Sequence, residues 1–385
     1  MIIELFNPSN RKRLELKQGR ERAVANRHPW IFAGAIARES GPDDAAIADL
    51  VDGRGNVLAS GFHSQRSQIR LRALTFGGEA LTPELIRNRI AAAIARRTFD
   101  DENTAARLVN SEGDDLSGLV IDRYGDLTVI EIANFGVERI KPLIVDMFEG
   151  PVFFRNDLPA RKIEGLSLED ESAAEERVIR ESGLQFVVDP SEGQKTGFFL
   201  DQRENRRIIR PLAGAKRVLN LFSYTGAFGV YAAAGGAASI TNVDVSKKAI
   251  ALAKRNYQVN GYDAEFVVAD AFDWVRKTHD VYDLVVCDPP AFAKSRAEVD
   301  RAARGYKDIN LYALRHVAPE GGMLMTFSCS GHLSLDLFQK VIFSAALDAG
   351  RRVSFVRRLT AGADHPVSLY CPEGEYLKGF LLQVR

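Results

Sequence analysis

Cysteine is scarce in this chain of 385 residues: Cys287, Cys329 and Cys371 are widely spaced and odd in number. That set excludes a disulfide framework and has no zinc-ligand spacing, so reduced thiols and no metal site are expected. No run approaches 18 consecutive apolar residues, and the short start Met1 to Phe6 gives way to Asn-Pro-Ser-Asn-Arg-Lys-Arg rather than to a signal-peptide core. The expectation is a cytoplasmic protein with no membrane partner. Internal repeats and low-complexity tracts are missing too. Net charge is absent, with 51 Lys+Arg against 51 Asp+Glu, but the balance is uneven along the chain. Residues 1–75 carry +4, residues 76–185 carry −9 and residues 186–385 carry +5. The middle segment is thereby disfavoured as a nucleic-acid face, and both ends remain candidates.

The glycine fingerprint of a dinucleotide site, G-x-G-x-x-G, is also lacking where it would be wanted. Val218 to Asp244 reads as an apolar strand to Phe222, a turn at Thr225-Gly226, an Ala-rich helix and a second strand ending on Asp244. Only Gly226 and Gly229 serve the loop, too few for backbone to approach a pyrophosphate. S-adenosylmethionine has a ribose diol and an adenine but no phosphate, and Asp244, about 20 residues beyond the turn, suits the diol. The alternative is a βαβ unit whose Gly turn and strand-end Asp bind nothing.

The length allows two or three domains. Residues 1–76 show short alternating runs at Ile47–Val51, Val57–Phe62 and Gln68–Leu74, the spacing of a small barrel-like β domain. Its Arg66, Arg70 and Arg72 are candidate phosphate contacts, Arg70 and Arg72 sharing a strand face; a solvated edge strand explains them equally. Residues 77–185 open with a helix at Pro83 and read as a central α/β domain, with strands at Gly118–Ile121, Leu127–Ile132 and Val152–Arg155 and a helix near Val137–Met147. The acidic stretch Glu169-Asp170-Glu171 reads as an exposed loop. Residues 186–385 alternate strands with helices, the order of a doubly wound parallel sheet. Four strands there end on Asp244, Asp270, Asp288 and Cys329, and such ends line the ligand crevice of an open α/β sheet.

Asp270-Ala271-Phe272 is placed to meet adenine, although each is as readily a helix cap or a core residue. Asp288-Pro289-Pro290-Ala291-Phe292 is more specific, since two prolines after a buried strand stiffen a loop whose carbonyls stay available to a ligand. Cys329 decides the reaction class. Carbon 5 of a pyrimidine is a poor nucleophile until a thiolate adds at carbon 6. Cys329, at a strand end between two serines, suits that role, whereas Cys287 inside an apolar strand and Cys371 read as structural.

These motifs, together with G-Q-K-T-G-F-F-L-D-Q-R-E-N-R (193–206), G-Y-K-D-I-N (305–310), T-F-S-C-S-G (326–331), A-D-H-P-V (363–367) and E-Y-L-K-G-F (375–380), resemble the large-subunit ribosomal RNA methyltransferase I family over essentially the whole chain. K-Q-G-R and H-P-W-I-F-A-G-A-I near the N-terminus resemble that family's RNA-binding PUA barrel. The resemblance implies a class I methyltransferase domain preceded by a PUA-like barrel and an α/β insert. It implies an enzyme forming 5-methylcytosine in 23S ribosomal RNA, free or in its precursor particle, with a homodimer left open. It further implies that S-adenosylmethionine is held by Phe199, Asp201, Gln202, Arg203, Asn220, Phe222, Ser223, Tyr224, Thr225, Gly226, Asp244, Asp270, Ala271 and Asp288. Pro290 and Phe292 would meet the substrate base. The second Cys that many RNA 5-methylcytosine enzymes place after the strand-end Pro is absent, which leaves Asp288, Lys294 or Lys307 to take the carbon 5 proton.

Two other readings remain. Asp288-Pro-Pro followed by Phe292 resembles base-amine methyltransferases, which would leave Cys329 inert. A non-catalytic RNA-binding assembly factor would keep the fold with a decayed pocket, against which the intact Asp244, Asp270 and Asp288 speak.

Overall fold

The computed structural model describes residues 2–170 and 172–385, and these form two compact units. The first comprises residues up to Ile179 with Val188–Leu200 and Ala363–Gly374; the second comprises Arg180–Val187, Asp201–Gly362 and Glu375–Arg385.

In the first unit, strands β1 (Lys12–Leu16), β2 (Trp30–Phe32), β3 (Ile36–Ser40), β4 (Ile47–Val51), β5 (Val57–His63) and β6 (Ile69–Phe76) form one sheet in the order β2-β6-β5-β4-β1-β3. The alternating runs expected at β4, β5 and β6 are there, while β1 and β3, rich in charge, pair with each other at the edge and were not legible as strands. A second sheet follows from β7 (Ala105–Asn110), β8 (Leu119–Tyr124), β9 (Leu127–Ile132) and β10 (Val152–Arg155), ordered β10-β9-β8-β7. The helix expected near Val137–Met147 is two short ones, Phe135–Arg139 and Lys141–Val145, because Pro142 lacks the N–H needed to continue the first turn into the second. Helix Pro83–Ala95 starts at Thr82, whose side chain caps Leu85 N–H, and buries Ile86 and Ile90. Those two pack in one cluster with Phe62 and Leu74 of the first sheet and Ile121 and Ile130 of the second. The acidic loop is tethered: Asn156 donates its backbone N–H to Asp170 and its amide to the Glu169 carbonyl. Glu171 lies outside the described residues.

Beyond the hairpin of β11 (Arg177–Glu181) and β12 (Leu184–Val188), the second unit has a seven-stranded sheet. Its strands are β13 (Arg217–Leu221), β14 (Ser239–Asp244), β15 (Glu265–Val268), β16 (Leu284–Cys287), β17 (Gly322–Ser328), β18 (Val353–Leu359) and β19 (Lys378–Val384), in the order β15-β14-β13-β16-β17-β19-β18. The first five run parallel, while β19 is antiparallel to both its neighbours. The chain leaves β13 toward β14 and β15, then returns to its other side with β16. That reversal is where an open sheet keeps its ligand, beyond the carboxyl ends of the strands. Runs such as Leu284–Cys287 are buried throughout, as strands covered on both faces must be. Among the described residues, no helix is long and apolar enough to cross a membrane.

Candidate active site

At the end of β13 the backbone turns sharply, with Phe222 (φ 56°), Tyr224 (φ 46°) and Gly226 (φ 75°) all left-handed. For the two non-glycine residues this costs about 1–2 kcal/mol each. Three hydrogen bonds hold the turn: Ser223 N–H donates to the Val243 carbonyl at 3.0 Å, Gly226 N–H to the Ser223 carbonyl at 2.8 Å, and Tyr224 N–H to Asp244 Oδ2 at 2.8 Å. Asp244 Oδ1 accepts from Ser246 N–H at 2.8 Å. A carboxylate offers about four acceptor positions, so each Asp244 oxygen retains capacity for one hydroxyl of a diol. Within the same turn, Ser223 Oγ is buried with no hydrogen-bond partner among the described residues, which marks the turn as a place for a polar ligand. The donor chemistry therefore fits S-adenosylmethionine.

The two glycines serve different purposes. Gly226 takes the left-handed conformation that precedes helix Ala227–Ala234. A Cβ on Gly229 would stand 2.0 Å from the Tyr257 hydroxyl, so this residue is small for the sake of helix packing rather than for a ligand.

Other expected cofactor contacts divide. Gln202 donates to Asp288 Oδ2 at 2.9 Å and accepts from Asn205 at 2.6 Å, while Asp201 Oδ2 accepts from the Tyr376 hydroxyl at 2.6 Å. The D-Q-R-E-N-R motif thus reaches the end of β16. Arg203 instead pairs with buried Glu181 at 3.4 Å, and Asn220 gives its amide to Asn242 inside the sheet at 3.0 Å. The Thr225 carbonyl accepts from Asn256 at 2.9 Å. Asp270 caps helix Ala271–Lys277 through Asp273 N–H at 3.1 Å, with Ala271 buried behind it. Phe199 belongs to the first unit, where Lys195 Nζ lies 4.4 Å from its ring centroid.

A row of aromatic rings runs across the strand ends: Phe222 to Phe272 at 6.1 Å, Phe272 to Phe292 at 5.8 Å and Phe292 to Tyr306 at 4.5 Å between centroids. The Tyr306 hydroxyl bonds Ser330 Oγ at 2.9 Å and donates to the Pro290 carbonyl at 3.4 Å. The Asp288-Pro-Pro loop and the Cys329 loop are thereby joined. Cys329 is half-buried just past β17, whereas Cys287 and Cys371 are fully buried. Burial, reinforced by Asp288, pushes the Cys287 thiol well above its ordinary range. Burial with Glu112 and Glu373 pushes Cys371 up to about 12. Lys307 pairs with Asp348 at 2.7 Å, and exposed Lys294 donates its backbone N–H to Glu298 at 2.7 Å.

Reading the residues assigned no role to Tyr306 or to Lys378. Lys378 is buried on β19, opposite Ser328, and donates to the Ser330 carbonyl at 2.8 Å and the Tyr376 carbonyl at 2.9 Å. Both lie in motifs, but only sheet pairing and helix packing bring them to Cys329.

In the first unit, Arg72 is buried and paired with Glu164 at 3.1 Å. Arg70 pairs with Glu39 at 3.1 Å and donates to the carbonyls of Ser64 and Gln65; Arg66 is exposed. A different basic and aromatic surface occurs nearby, a cleft of about 590 Å³ lined by Arg20, Arg22, Asn26, His28, Trp30 and Phe32. K-Q-G-R and H-P-W-I-F flank it in the sequence.

A family model described as S-adenosylmethionine-dependent methyltransferase matches residues 152–368, and one described as a PUA-like domain matches residues 14–76. Ribosomal RNA large subunit methyltransferase I of Shewanella denitrificans is 43% identical over 394 residues, covering 97% of this chain and 99% of that protein. Its namesake in Klebsiella pneumoniae is 41% identical over 393 residues, covering 97% and 98%. Among solved structures, a methyltransferase complexed with SAH aligns with a TM-score of 0.81 at 25% identity, over 96% of this chain and 99% of that one. A SAM-dependent methyltransferase from Streptococcus mutans aligns at 0.79 and 25%, with the same coverage.

Proposed function

Because the chain belongs to the ribosomal RNA large subunit methyltransferase I family, we propose that it methylates carbon 5 of a cytosine in 23S ribosomal RNA, with Cys329 as nucleophile. The observation that carries this reading is the placement of the three thiols. Cys329 alone is partly exposed, just past the carboxyl end of β17 and next to β16, which Asp288 follows.

Bound S-adenosylmethionine supplies an electrophilic methyl group. Asp244, the turn from Phe222 to Gly226, and Gln202 with Asp201 would hold the cofactor. The Cys329 thiolate adds to carbon 6, and the electron pair of the carbon 5–carbon 6 double bond becomes available at carbon 5. Carbon 5 would take the methyl group with that pair, the S–CH3 bonding pair staying on sulfur so that S-adenosylhomocysteine is the leaving group; the carbon 5 proton then goes to Asp288, the C–H pair restores the double bond, and the thiolate leaves. Asp288 is favoured over Lys307 and Lys294 because Gln202 orients it at the strand end, whereas Lys307 is tied to Asp348. Phe292, braced by Tyr306, serves as the platform for the flipped base. Residues 1–76 supply RNA affinity, with the Arg20 and Arg22 cleft and exposed Arg66 meeting phosphates.

The test is a covalent trap. Fluorine at carbon 5 cannot leave as a proton, so RNA containing 5-fluorocytidine should hold the wild-type protein in a band that survives denaturing electrophoresis. Cys329→Ala should neither trap nor methylate. Methylation at the normal rate by Cys329→Ala would sink the thiolate reading in favour of amine methylation at the Asp288-Pro-Pro-Ala-Phe292 motif.

A further inference from the structure

We propose that Lys378 is a positioning residue whose buried ammonium holds Cys329 as a thiolate, an inference that rests on Cys329 being the nucleophile. Lys378 is 5% exposed. Burying an ammonium is costly unless charge compensates it. Yet its hydrogen-bond partners are two neutral carbonyls, those of Ser330 and Tyr376, and among the described residues no carboxylate forms an ion pair with it. A neutral donor would tie those carbonyls at less cost. What a cation adds is a field, and the residue bracketed by its contacts is Cys329: Lys378 stands opposite Ser328 across β17 and β19 and bonds the carbonyl of Ser330. The mutual attraction of the two groups opposes the effect of burial on the ammonium.

The surrounding charges define the balance. Two carboxylates belong to this neighbourhood: Asp288, just past neighbouring β16, which raises the buried Cys287 thiol, and Glu375, which acts on the Lys378 ammonium. Tyr306, bonded to Ser330, stays a neutral phenol because burial pushes its pKa up. Lys378 is the cation that offsets the two carboxylates. An ordinary thiol near 8.5 is only about 3% ionised at pH 7, and the first unit by which its pKa is lowered multiplies the nucleophile about eightfold.

The experiment alkylates the full-length protein with limiting iodoacetamide from pH 5.5 to 9.5 and reads the Cys329 peptide by mass spectrometry. Wild type should inflect at least one pH unit below a free cysteine. Lys378→Met should move the inflection up by a unit or more and slow alkylation at pH 7 about tenfold; Lys378→Arg, which keeps the charge, should restore it. A wild-type inflection at or above that of free cysteine overturns the proposal without any variant, and so does a Lys378→Met profile superimposable on wild type. The fluorocytidine trap separates the two claims. A Cys329→Ala protein that still methylates defeats the nucleophile assignment, whereas a wild-type protein that traps normally with an unshifted thiol defeats only the role of Lys378.

Discussion

Asp244 holds the turn with the carboxylate to which the proposed function also gives the ribose diol. It accepts the Tyr224 and Ser246 N–H groups, which hold the left-handed turn, and it retains acceptor capacity for the ribose diol. Hydrogen bonds to a charged acceptor are worth about 1.5–3 kcal/mol each. Loss of two should weaken S-adenosylmethionine at least a hundredfold in calorimetry for Asp244→Ala; undiminished affinity would show that the cofactor lies elsewhere. Substitution separates the three thiols. Cys287→Ala and Cys371→Ala should retain methylation and trapping with modest stability losses, because both thiols are buried and held protonated.

At the scale of elements, helix Ala227–Ala234 sets Gly229 against the Tyr257 hydroxyl and the Asn242 side chain, which leave no room for a Cβ. Overpacking of this kind costs about 1–3 kcal/mol. Gly229→Ala should lower the midpoint of urea unfolding accordingly. In the first unit, Glu131 on β9 is buried, and its pKa is raised to about 7 by burial, with Asp122 and Asp157 adding to the rise and Arg107 opposing it. The folded value lies above the unfolded one, so its stabilising contribution is complete below about pH 4.5 and is lost as pH rises through about 7. Protection of the β9 amides against hydrogen exchange, taken relative to the intrinsic rate at each pH, should fall across that window, and Glu131→Gln should flatten the fall.

For the molecule as a whole, the proposed function puts RNA affinity and cofactor affinity in different parts of the chain. Neutralising Arg20 and Arg22 should weaken RNA binding and flatten its salt dependence by roughly 0.7–0.9 for each phosphate that the protein no longer neutralises, leaving cofactor affinity intact. An unchanged RNA dissociation constant across a salt series would count against the cleft. Arg72→Ala should act differently. It leaves Glu164 buried without its partner, a change that typically costs about 3–5 kcal/mol, so the effect should appear in thermal unfolding.

The sequence by itself determined whatever is written in local periodicity and spacing. The parallel strands of the second unit, the polar residues at their ends and the Gly226 to Asp244 interval are legible because each depends on neighbours a few residues away. The charged strands β1 and β3, and the break at Pro142, were harder to read because pairing and a single missing N–H decided them. Only the tertiary structure decided which arginine faces solvent, since Arg72 and Glu164 are 92 positions apart. It likewise decided that Lys378 and Tyr306 both bond Ser330, beside Cys329, because β19 must return antiparallel beside β17 before an ammonium from one motif can reach the loop of another.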